Sequence, residues 1–177
     1  MRRVRYGVAA SLDGFIADKA GGYDWLTDDP TIDFEALFAE FDLFVMGRKT
    51  FEVAQSQGDQ NPLQGMKVIV ASTTMRQADF PGVQVVNTSI EEVVRKCKGM
   101  PGKDIWLYGG GTLARTLFDA QLVDTVEIGL MPIMLGGGIP VLPEGSAVRL
   151  SLISARCMPS GIQMLNYSVI QLGTAEG

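Results

Sequence analysis

Three consecutive glycines, Gly109, Gly110 and Gly111, give the sequence its clearest chemical signal. A short apolar run at residues 105–108 precedes them and predicts a buried strand, and Thr112 follows them where a helix would need its N-cap. Glycine has no Cβ, so a ligand can approach its backbone closely, and a helix N-terminus presents free N–H groups and a positive dipole. The stretch predicts a phosphate site, although a tight turn that binds nothing would need the same residues.

The sequence contains no histidine, and this excludes several kinds of active site. Ser-His-Asp and Cys-His nucleophile systems and the usual zinc sites all need that side chain. Proton transfer must then use carboxylates, Lys, Tyr, Cys or water. Such a chain fits chemistry in which a bound cofactor carries the reactive group, and hydride transfer from a nicotinamide is the first candidate.

Two other predicted strands, residues 42–46 and 68–71, also end in residues that could hold an anion. The residues that follow are Gly47, Arg48, Lys49 and Thr50 after the first strand, and Ser72 and Thr73 after the second. Open α/β sheets bind ligands at the carboxyl ends of parallel strands, so we expect these groups and the glycines to share one edge. A solvated turn at Arg48 and a turn cap at Ser72 are simpler interpretations that the sequence leaves open.

Strands and helices alternate along the part of the chain that must position these residues. Asp29 and Pro30 are typical of a helix start, with Asp29 as N-cap, because apolar residues at helical spacing follow at 34–41. After the glycine helix a period of two predicts antiparallel strands, and the glycines at 136–138 are interpreted as a connection between them. The predicted strands are 4–10, 42–46, 68–71, 83–86, 105–108, 125–131, 148–157 and 162–172; the predicted helices begin near 29, 51, 89 and 112, and 11–31 is a long loop.

The 177 residues match the size of one domain, which we place at residues 1–172, with a disordered tail at 173–177. The composition, 46% hydrophobic with a net charge of -5, argues against nucleic acid as a main partner. No apolar run reaches membrane-spanning length, and two cysteines, Cys97 and Cys157, are too few for a disulfide framework. We therefore expect a cytoplasmic protein, with no nucleic-acid or membrane partner, in which both cysteines are buried or half-buried.

Several segments resemble the nucleotide-binding segments of dihydrofolate reductase, in the same order and at similar spacing; they are residues 45–52, 67–73 and 107–113. Other segments are more similar to the reductase domain of the bifunctional riboflavin-biosynthesis deaminase-reductase, and these are residues 11–17, 25–27, 123–124 and 132–138. The two families share one fold. The resemblance therefore implies an α/β, dihydrofolate reductase-like three-layer fold, with a mixed central sheet, an antiparallel C-terminal hairpin and helices on both faces.

The resemblance also implies that NADPH lies across the carboxyl edge of the sheet. The residues that would hold it, from the pyrophosphate to the adenosine, are Gly109, Gly110, Gly111 and Thr112, then Gly47, Arg48, Lys49 and Thr50, then Ser72 and Thr73. At the other end, Ala9 and Ile16 match positions that pack on the nicotinamide, and Asp13 lies in the loop that closes over it. Ala9 could equally be plain core. A cis peptide bond between Gly109 and Gly110 is a further implication.

Two carboxylates, Asp13 and Asp33, are the candidate catalytic residues. Dihydrofolate reductase binds its pterin with one carboxylate on the first helix, soon after a tryptophan, but no acidic residue here falls at that spacing from Trp25. Asp33 is the best placed of them, because it borders the apolar face of the predicted helix, where desolvation would raise its pKa. A stabilising anion in the first turn of that helix is the alternative interpretation of Asp33. We rank both residues as substrate holders first and proton donors second.

The function implied is that of a stand-alone, NADPH-dependent reductase that transfers hydride to a C=N or sugar-imine group of a small heterocyclic substrate. The favoured substrate is 5-amino-6-(5-phosphoribosylamino)uracil, the riboflavin precursor. The alternatives are dihydrofolate or another pteridine, and a non-catalytic NADPH-binding sensor. The apolar strands of the last third of the chain, together with the paired reductase domains of the riboflavin family, predict a homodimer.

Overall fold

The structure, a computed structural model, describes residues 1–58, 63 and 65–171, and the predicted tail at 173–177 lies outside these residues. The elements in chain order are β1 (Val4–Ser11), β2 (Phe15–Ala17), α1 (Phe34–Phe38), β3 (Phe41–Gly47), α2 (Arg48–Ser56), β4 (Val68–Ala71), a 3-10 turn (Gln77–Asp79), β5 (Gln84–Val86), α3 (Ile90–Gly99), β6 (Asp104–Gly109), α4 (Gly111–Asp119), β7 (Thr125–Met131), β8 (Ile139–Pro140), β9 (Leu150–Cys157) and β10 (Gln163–Val169). None of the helices among the described residues is long and apolar enough to cross a membrane.

One eight-stranded sheet, in the order β5-β4-β3-β6-β1-β7-β10-β9, organises the fold. The strands from β5 to β7 in that order run parallel, and β10 is antiparallel to both of its neighbours. This confirms the predicted mixed sheet with an antiparallel C-terminal hairpin. The expectation that all strands after the glycine helix are antiparallel was wrong for β7, because α4 returns the chain to the amino edge and β7 starts beside β1.

Two apolar cores cover the two faces of the sheet and confirm the predicted three layers. On one face, α3 and α4 pack through Val94, Leu117 and their neighbours against β1, β3 and β6. On the other face, α1 and α2 cover an aromatic layer that includes Phe44 and Trp106. Ring centroids in this layer lie 4.7 to 6.2 Å apart, a range in which aromatic pairs add to the stabilisation from area burial.

The first helix begins later than the sequence suggested. It starts at Phe34, and its N-cap is Asp33, whose carboxylate accepts a hydrogen bond from the Ala36 N–H at 2.9 Å. Asp29 is not a helix cap, because its carboxylate accepts hydrogen bonds from Thr31 and from a distant loop. The predicted start of this helix was therefore wrong by about one turn, and α1 is only five residues long.

Two other helix starts also differ from the predictions, and both helices begin after a glycine that cannot cap them with a side chain. α2 begins at Arg48 instead of Phe51, and α4 begins at Gly111. The N-caps are Gly47 and Gly110, and neither position has a side-chain hydrogen bond to the helix. Thr112 is therefore the second residue of α4 and not its cap.

A small second sheet joins the loop after β1 to the connection after β7. β2 pairs with β8, so that Ala17 lies opposite Ile139. A Cβ on Gly138 would collide with the carbonyl oxygen of Ala17, so this position requires glycine. The interpretation of residues 136–138 as a structural connection is confirmed.

The edge strand β9 is exposed along its whole length. Leu152 and Ile153 are 57% and 60% exposed. Cys157, which we expected to be at least half-buried, is also exposed, because no element of the described part of the chain covers this edge. An uncovered apolar edge strand favours pairing with another chain. The homodimer stays a prediction, and β9 is the surface through which we expect it to form.

Replacing Leu152 and Ile153 with Lys should convert a dimer to monomers, because it places two like charges on each copy of the edge. Light scattering at micromolar concentration measures the mass against the 19.1 kDa of one chain. The matched control is Met100→Lys, which changes an exposed apolar residue at the end of α3. A wild-type mass near one chain would contradict the prediction.

Candidate functional site

Two strand-to-helix junctions meet at the carboxyl edge of the sheet. The junction of β3 and α2 at Gly47 lies against that of β6 and α4, since a Cβ on Gly47 would be 4.0 Å from the Gly110 nitrogen. The Thr50 hydroxyl lies 3.8 Å from the Cβ position of both Gly109 and Gly110. Two helix N-termini without side-chain caps, a hydroxyl and two glycines thus form one surface, which suits an anionic group.

The three glycines occupy their positions in this turn for different structural reasons. The peptide bond between Gly109 and Gly110 is cis, as the resemblance implied, and Gly109 has a φ of 125°, which favours glycine. Gly111 is glycine for packing, because a Cβ there would lie 2.8 Å from the Pro140 carbonyl oxygen and 2.9 Å from the Pro143 ring. The ligand-facing part of the predicted cradle is therefore Gly109 and Gly110.

The predicted adenosine side lies next to this turn. Gly47 pairs with Ala71, so Arg48 and Ser72 follow side by side. The Ser72 hydroxyl accepts hydrogen bonds from the Thr74 and Met75 N–H groups at 3.2 and 3.1 Å. The turn-cap interpretation of Ser72 is thus correct, although the cap lies beside the predicted anion site.

The cationic residues at this edge are exposed. Arg48 forms an ion pair with Glu52 at 3.1 Å, and Lys49 and Thr73 are exposed beside it. Exposed pairs four residues apart on a helix contribute only about 0.3 to 0.5 kcal/mol. Arg48 can therefore leave Glu52 for a bound phosphate at little cost.

The centre of the sheet beside the glycine turn is only partly covered, and we call this partly covered surface the cleft. β1 is an inner strand, yet Gly7 and Ala9 are only half-buried, as is Gly129, which pairs with Ala9. Ala9 packs with Trp25 and Ile32 of the loop before α1, around a buried group of Met131, Met158 and Ile162. Ile16 is also half-buried, in the middle of β2. Small residues on the sheet and a loop above it leave room for a flat ligand next to the anion site.

Aromatic side chains form one wall of this cleft. Phe38 of α1 stands 5.0 Å from the Trp106 ring, and Tyr108 stands 5.4 Å from Trp106. Burial raises the pKa of the Tyr108 phenol, and the nearby Tyr23 raises it further. Tyr108 was not among the predicted site residues, although its place directly before the glycines was a signal that could have identified it.

Asp13 is engaged within the protein. Its carboxylate accepts hydrogen bonds from the Ser11 hydroxyl at 2.7 Å and from the Leu135 and Gly136 N–H groups at 3.0 and 2.7 Å. These hydrogen bonds lower the pKa of Asp13, and the bond from Ser11 has the largest effect. Asp13 therefore stays ionised near neutral pH, ties its loop to the connection after β7, and is unsuited to donate a proton.

Asp33 lies exposed at the start of α1, where it caps the helix. The desolvation against an apolar face that we expected for this carboxylate is absent, because the short α1 leaves Asp33 in solvent. Its placement does not favour the predicted role as proton donor. A role for Asp13 or Asp33 in holding the substrate stays a prediction.

Among the residues that the structure describes, the buried carboxylate is that of Asp29, which is 3% exposed. It accepts hydrogen bonds from the Thr31 N–H at 2.9 Å, the Thr31 hydroxyl at 2.5 Å and the Ser160 N–H at 3.1 Å. The bonds from Ser160 and Thr31 hold the pKa of Asp29 well below its usual range. Asp29 thus anchors the loop above the cleft to the turn between β9 and β10.

Comparison with protein families supports a reductase-type domain. The family model of the RibD C-terminal domain matches residues 2–164. Among curated proteins, YyaP of Bacillus subtilis strain 168 is 32% identical over 178 aligned positions, which cover 94% of each chain.

Solved structures show the same fold. A Shewanella sp. PV-4 protein assigned to riboflavin biosynthesis matches with a TM-score of 0.81 and 28% identity, over 97% of this chain and 100% of that one. The diaminohydroxyphosphoribosylaminopyrimidine deaminase/5-amino-6-(5-phosphoribosylamino)uracil reductase of Thermotoga maritima matches with a TM-score of 0.71 and 16% identity. This match covers 96% of this chain and 57% of the Thermotoga chain.

Asp29→Asn should lower the melting temperature by several degrees at pH 7. The folded-state pKa of Asp29 lies below its unfolded value of about 3.9. The ionised carboxylate therefore adds to the free energy of unfolding above that pH, and this stabilisation is lost as the pH falls through the folded-state pKa. The difference between wild type and variant, measured by thermal unfolding from pH 7 to pH 2, should therefore shrink below about pH 4. The control is Asp28→Asn, which changes the exposed neighbour. A difference that is constant with pH would contradict the role given to Asp29.

Proposed function

The chain belongs to the RibD C-terminal domain family, and we propose that it is an NADPH-dependent reductase acting on a C=N or sugar-imine group of a heterocyclic substrate. One observation carries this proposal: the glycine turn and Thr50, which suit an anion, lie directly beside the partly covered centre of the sheet. A dinucleotide needs such a pair of neighbouring sites, one for its phosphates and one for its reactive ring.

The residues present fit this cofactor. Gly109 and Gly110 leave their Cβ positions open, with Thr50 as the nearest side chain at 3.8 Å. Together they would hold the pyrophosphate, and Arg48 and Thr73 would contact the 2′-phosphate. Ala9 would support the nicotinamide, which supplies the hydride when NADPH is bound.

The chain's own residues would bind and orient the substrate, and water would supply the proton. No histidine is present, Asp13 is held ionised by its hydrogen bonds, and Asp33 is exposed and caps α1. A proton is needed on the substrate nitrogen once the neighbouring carbon receives hydride. Water entering the half-open cleft is the source that the placement of these carboxylates favours.

The reference substrate is 5-amino-6-(5-phosphoribosylamino)uracil, which is named in the Thermotoga relative. A charge observation favours a second candidate, an unphosphorylated heterocycle such as a dihydropteridine. Residues 20–47, which include the loop above the cleft, contain no Lys or Arg. Five carboxylates there are exposed, and of these only Glu40 forms an ion pair with another described residue; the other four are Asp24, Asp28, Asp33 and Glu35. A substrate phosphate, with about -1.5 to -2 charges, would be repelled on this side.

Arg48→Ala should weaken NADPH binding at least about tenfold and leave NADH nearly unchanged. A charge-assisted hydrogen bond to the 2′-phosphate contributes roughly 1.5 to 3 kcal/mol, and NADH lacks that phosphate. Isothermal titration with both cofactors measures the effect. Arg76→Ala is the matched control, because Arg76 is also exposed and paired with a nearby carboxylate, at Asp79. An equal loss of affinity for NADPH and NADH would contradict the assignment of Arg48 to the 2′-phosphate. NADPH binding by the wild type without oxidation across pyrimidine, pterin and quinonoid substrates would favour the alternative function, a non-catalytic NADPH-binding sensor.

Comparing a substrate with and without its phosphate tests the second candidate. With NADPH present, the riboside of the aminouracil should have a higher kcat/KM than its 5′-phosphate, and added salt should narrow the gap because it screens the carboxylates. Glu35→Arg should improve the phosphorylated substrate selectively. Glu92→Arg, an equivalent charge reversal on α3 at the opposite face, should not. A phosphorylated substrate that is preferred at all salt concentrations would favour the riboflavin precursor.

A further inference from the structure

We propose that the phenol of Tyr108 is a hydrogen-bond donor that contacts the substrate and orients its reducible C=N bond over the floor of the cleft. The inference rests on the proposed function and adds a residue to it. It concerns a polar group that neither the sequence motifs nor the cofactor site uses.

The position of Tyr108 follows from the sheet register. Tyr6 pairs with Leu107, so Tyr108 comes next to Gly7 at the cleft floor. Side chains alternate along a strand, which puts Tyr108 on the same face as Trp106 and one step closer to the glycine turn. Trp106 lies over Gly7, because a Cβ on Gly7 would be 2.8 Å from its indole nitrogen. Tyr108 therefore stands between the aromatic layer and the anion surface.

The ring of Tyr108 is fixed, while its hydroxyl is available. Phe44 and Trp106 contact the ring, with centroids at 6.2 and 5.4 Å. The hydroxyl has no hydrogen-bond partner among the described residues, and it is not sealed in the core, since every enclosed side-chain polar atom there has a partner. A phenol held by its ring, with an unpaired hydroxyl that is not enclosed, can bind a polar atom of a ligand.

The loop above the cleft covers the same face of the sheet. Its Trp25 and Ile32 pack with Ala9, which lies on the face of β1 that also carries Gly7. Since Tyr108 comes next to Gly7, its ring lies on the face of the sheet that this loop covers. The other phenols differ: Tyr6 donates to the Val141 carbonyl at 2.6 Å, and Tyr167 packs on the opposite face.

The chemistry needs a neutral donor at this place. Hydride from bound NADPH would add to the substrate carbon, the C=N π electrons would move to nitrogen, and nitrogen would take a proton from water, leaving NADP⁺, the saturated amine and hydroxide. A hydrogen bond from the phenol to a substrate heteroatom fixes the ring relative to the hydride donor. Because burial disfavours the phenolate, the phenol keeps its proton throughout and acts by contact, not as the acid.

Tyr108→Phe tests the inference, because it removes one oxygen and keeps the ring. The variant should lose about tenfold in kcat/KM for the heterocycle, which is the effect of one hydrogen bond. Its NADPH affinity should stay within about twofold of wild type, and its melting temperature should stay within about one degree. The matched control is Tyr167→Phe, which should change none of these. The primary isotope effect with 4-deuterated NADPH should rise in Tyr108→Phe, since misplacement slows the hydride step itself.

A binding measurement separates failure of this inference from failure of the proposed function. The only two tryptophans, Trp25 and Trp106, both border the cleft, so intrinsic fluorescence reports ligands there. The probes are the aminouracil riboside and 7,8-dihydropterin, added to the NADPH complex; wild type should bind at least one of them about tenfold more tightly than Tyr108→Phe. Binding with this difference but no NADPH oxidation would refute the reductase and keep the contact. Equal binding and turnover by the two proteins, or no binding of either probe to wild type, would overturn the inference.

Discussion

The contact of Trp106 with Gly7 sets the shape of the site. The indole lies against β1 so closely that any side chain at residue 7 would collide with it, and its N–H donates to the Gly7 carbonyl oxygen at 3.0 Å. Held in this way, Trp106 supports Phe38 and Phe41 on one side and Tyr108 on the other. The aromatic layer therefore ends at Trp106 and Tyr108, and the cleft lies next to these two rings.

The order of the strands brings the two halves of the site together. β1 lies between β6 and β7, so the strand with the small cleft residues is next to the strand that ends in the glycine turn. β3 lies on the other side of β6 and brings Gly47 and Thr50 to the same turn. The site thus combines segments from the start, middle and later parts of the chain, although each strand-to-helix junction is local.

Charge is distributed unevenly around this edge. Arg48 and Lys49 lie on the proposed cofactor side, and the loop above the cleft is acidic. At the amino edge a separate cluster is neutralised within the fold, where Arg5 pairs with Glu127 and Glu40 and lies 4.4 Å above the Phe41 ring. Burial alone would lower the pKa of Arg5, and the two carboxylates raise it, so this charge is held by structure. The cations at the carboxyl edge are exposed, so Arg48 can exchange its ion pair with Glu52 for a bound anion.

The sequence by itself was enough to predict the α/β class, most strands, the hairpin at the end of the chain and the glycine turn beside Gly47 and Thr50. These features depend on local signals, namely apolar periodicity, glycine runs and the residues that follow strands. Tertiary structure decided the contacts of the carboxylates and the surroundings of Tyr108. Asp13 is satisfied by N–H groups 122 and 123 residues away, and Asp29 by one 131 residues away. Capping patterns cannot reveal such partners, because a carboxylate's role depends on which donors the folded chain brings to it. In the same way, the half-burial of Tyr108, Gly7 and Ala9 follows from the arrangement of the strands and not from any local signal.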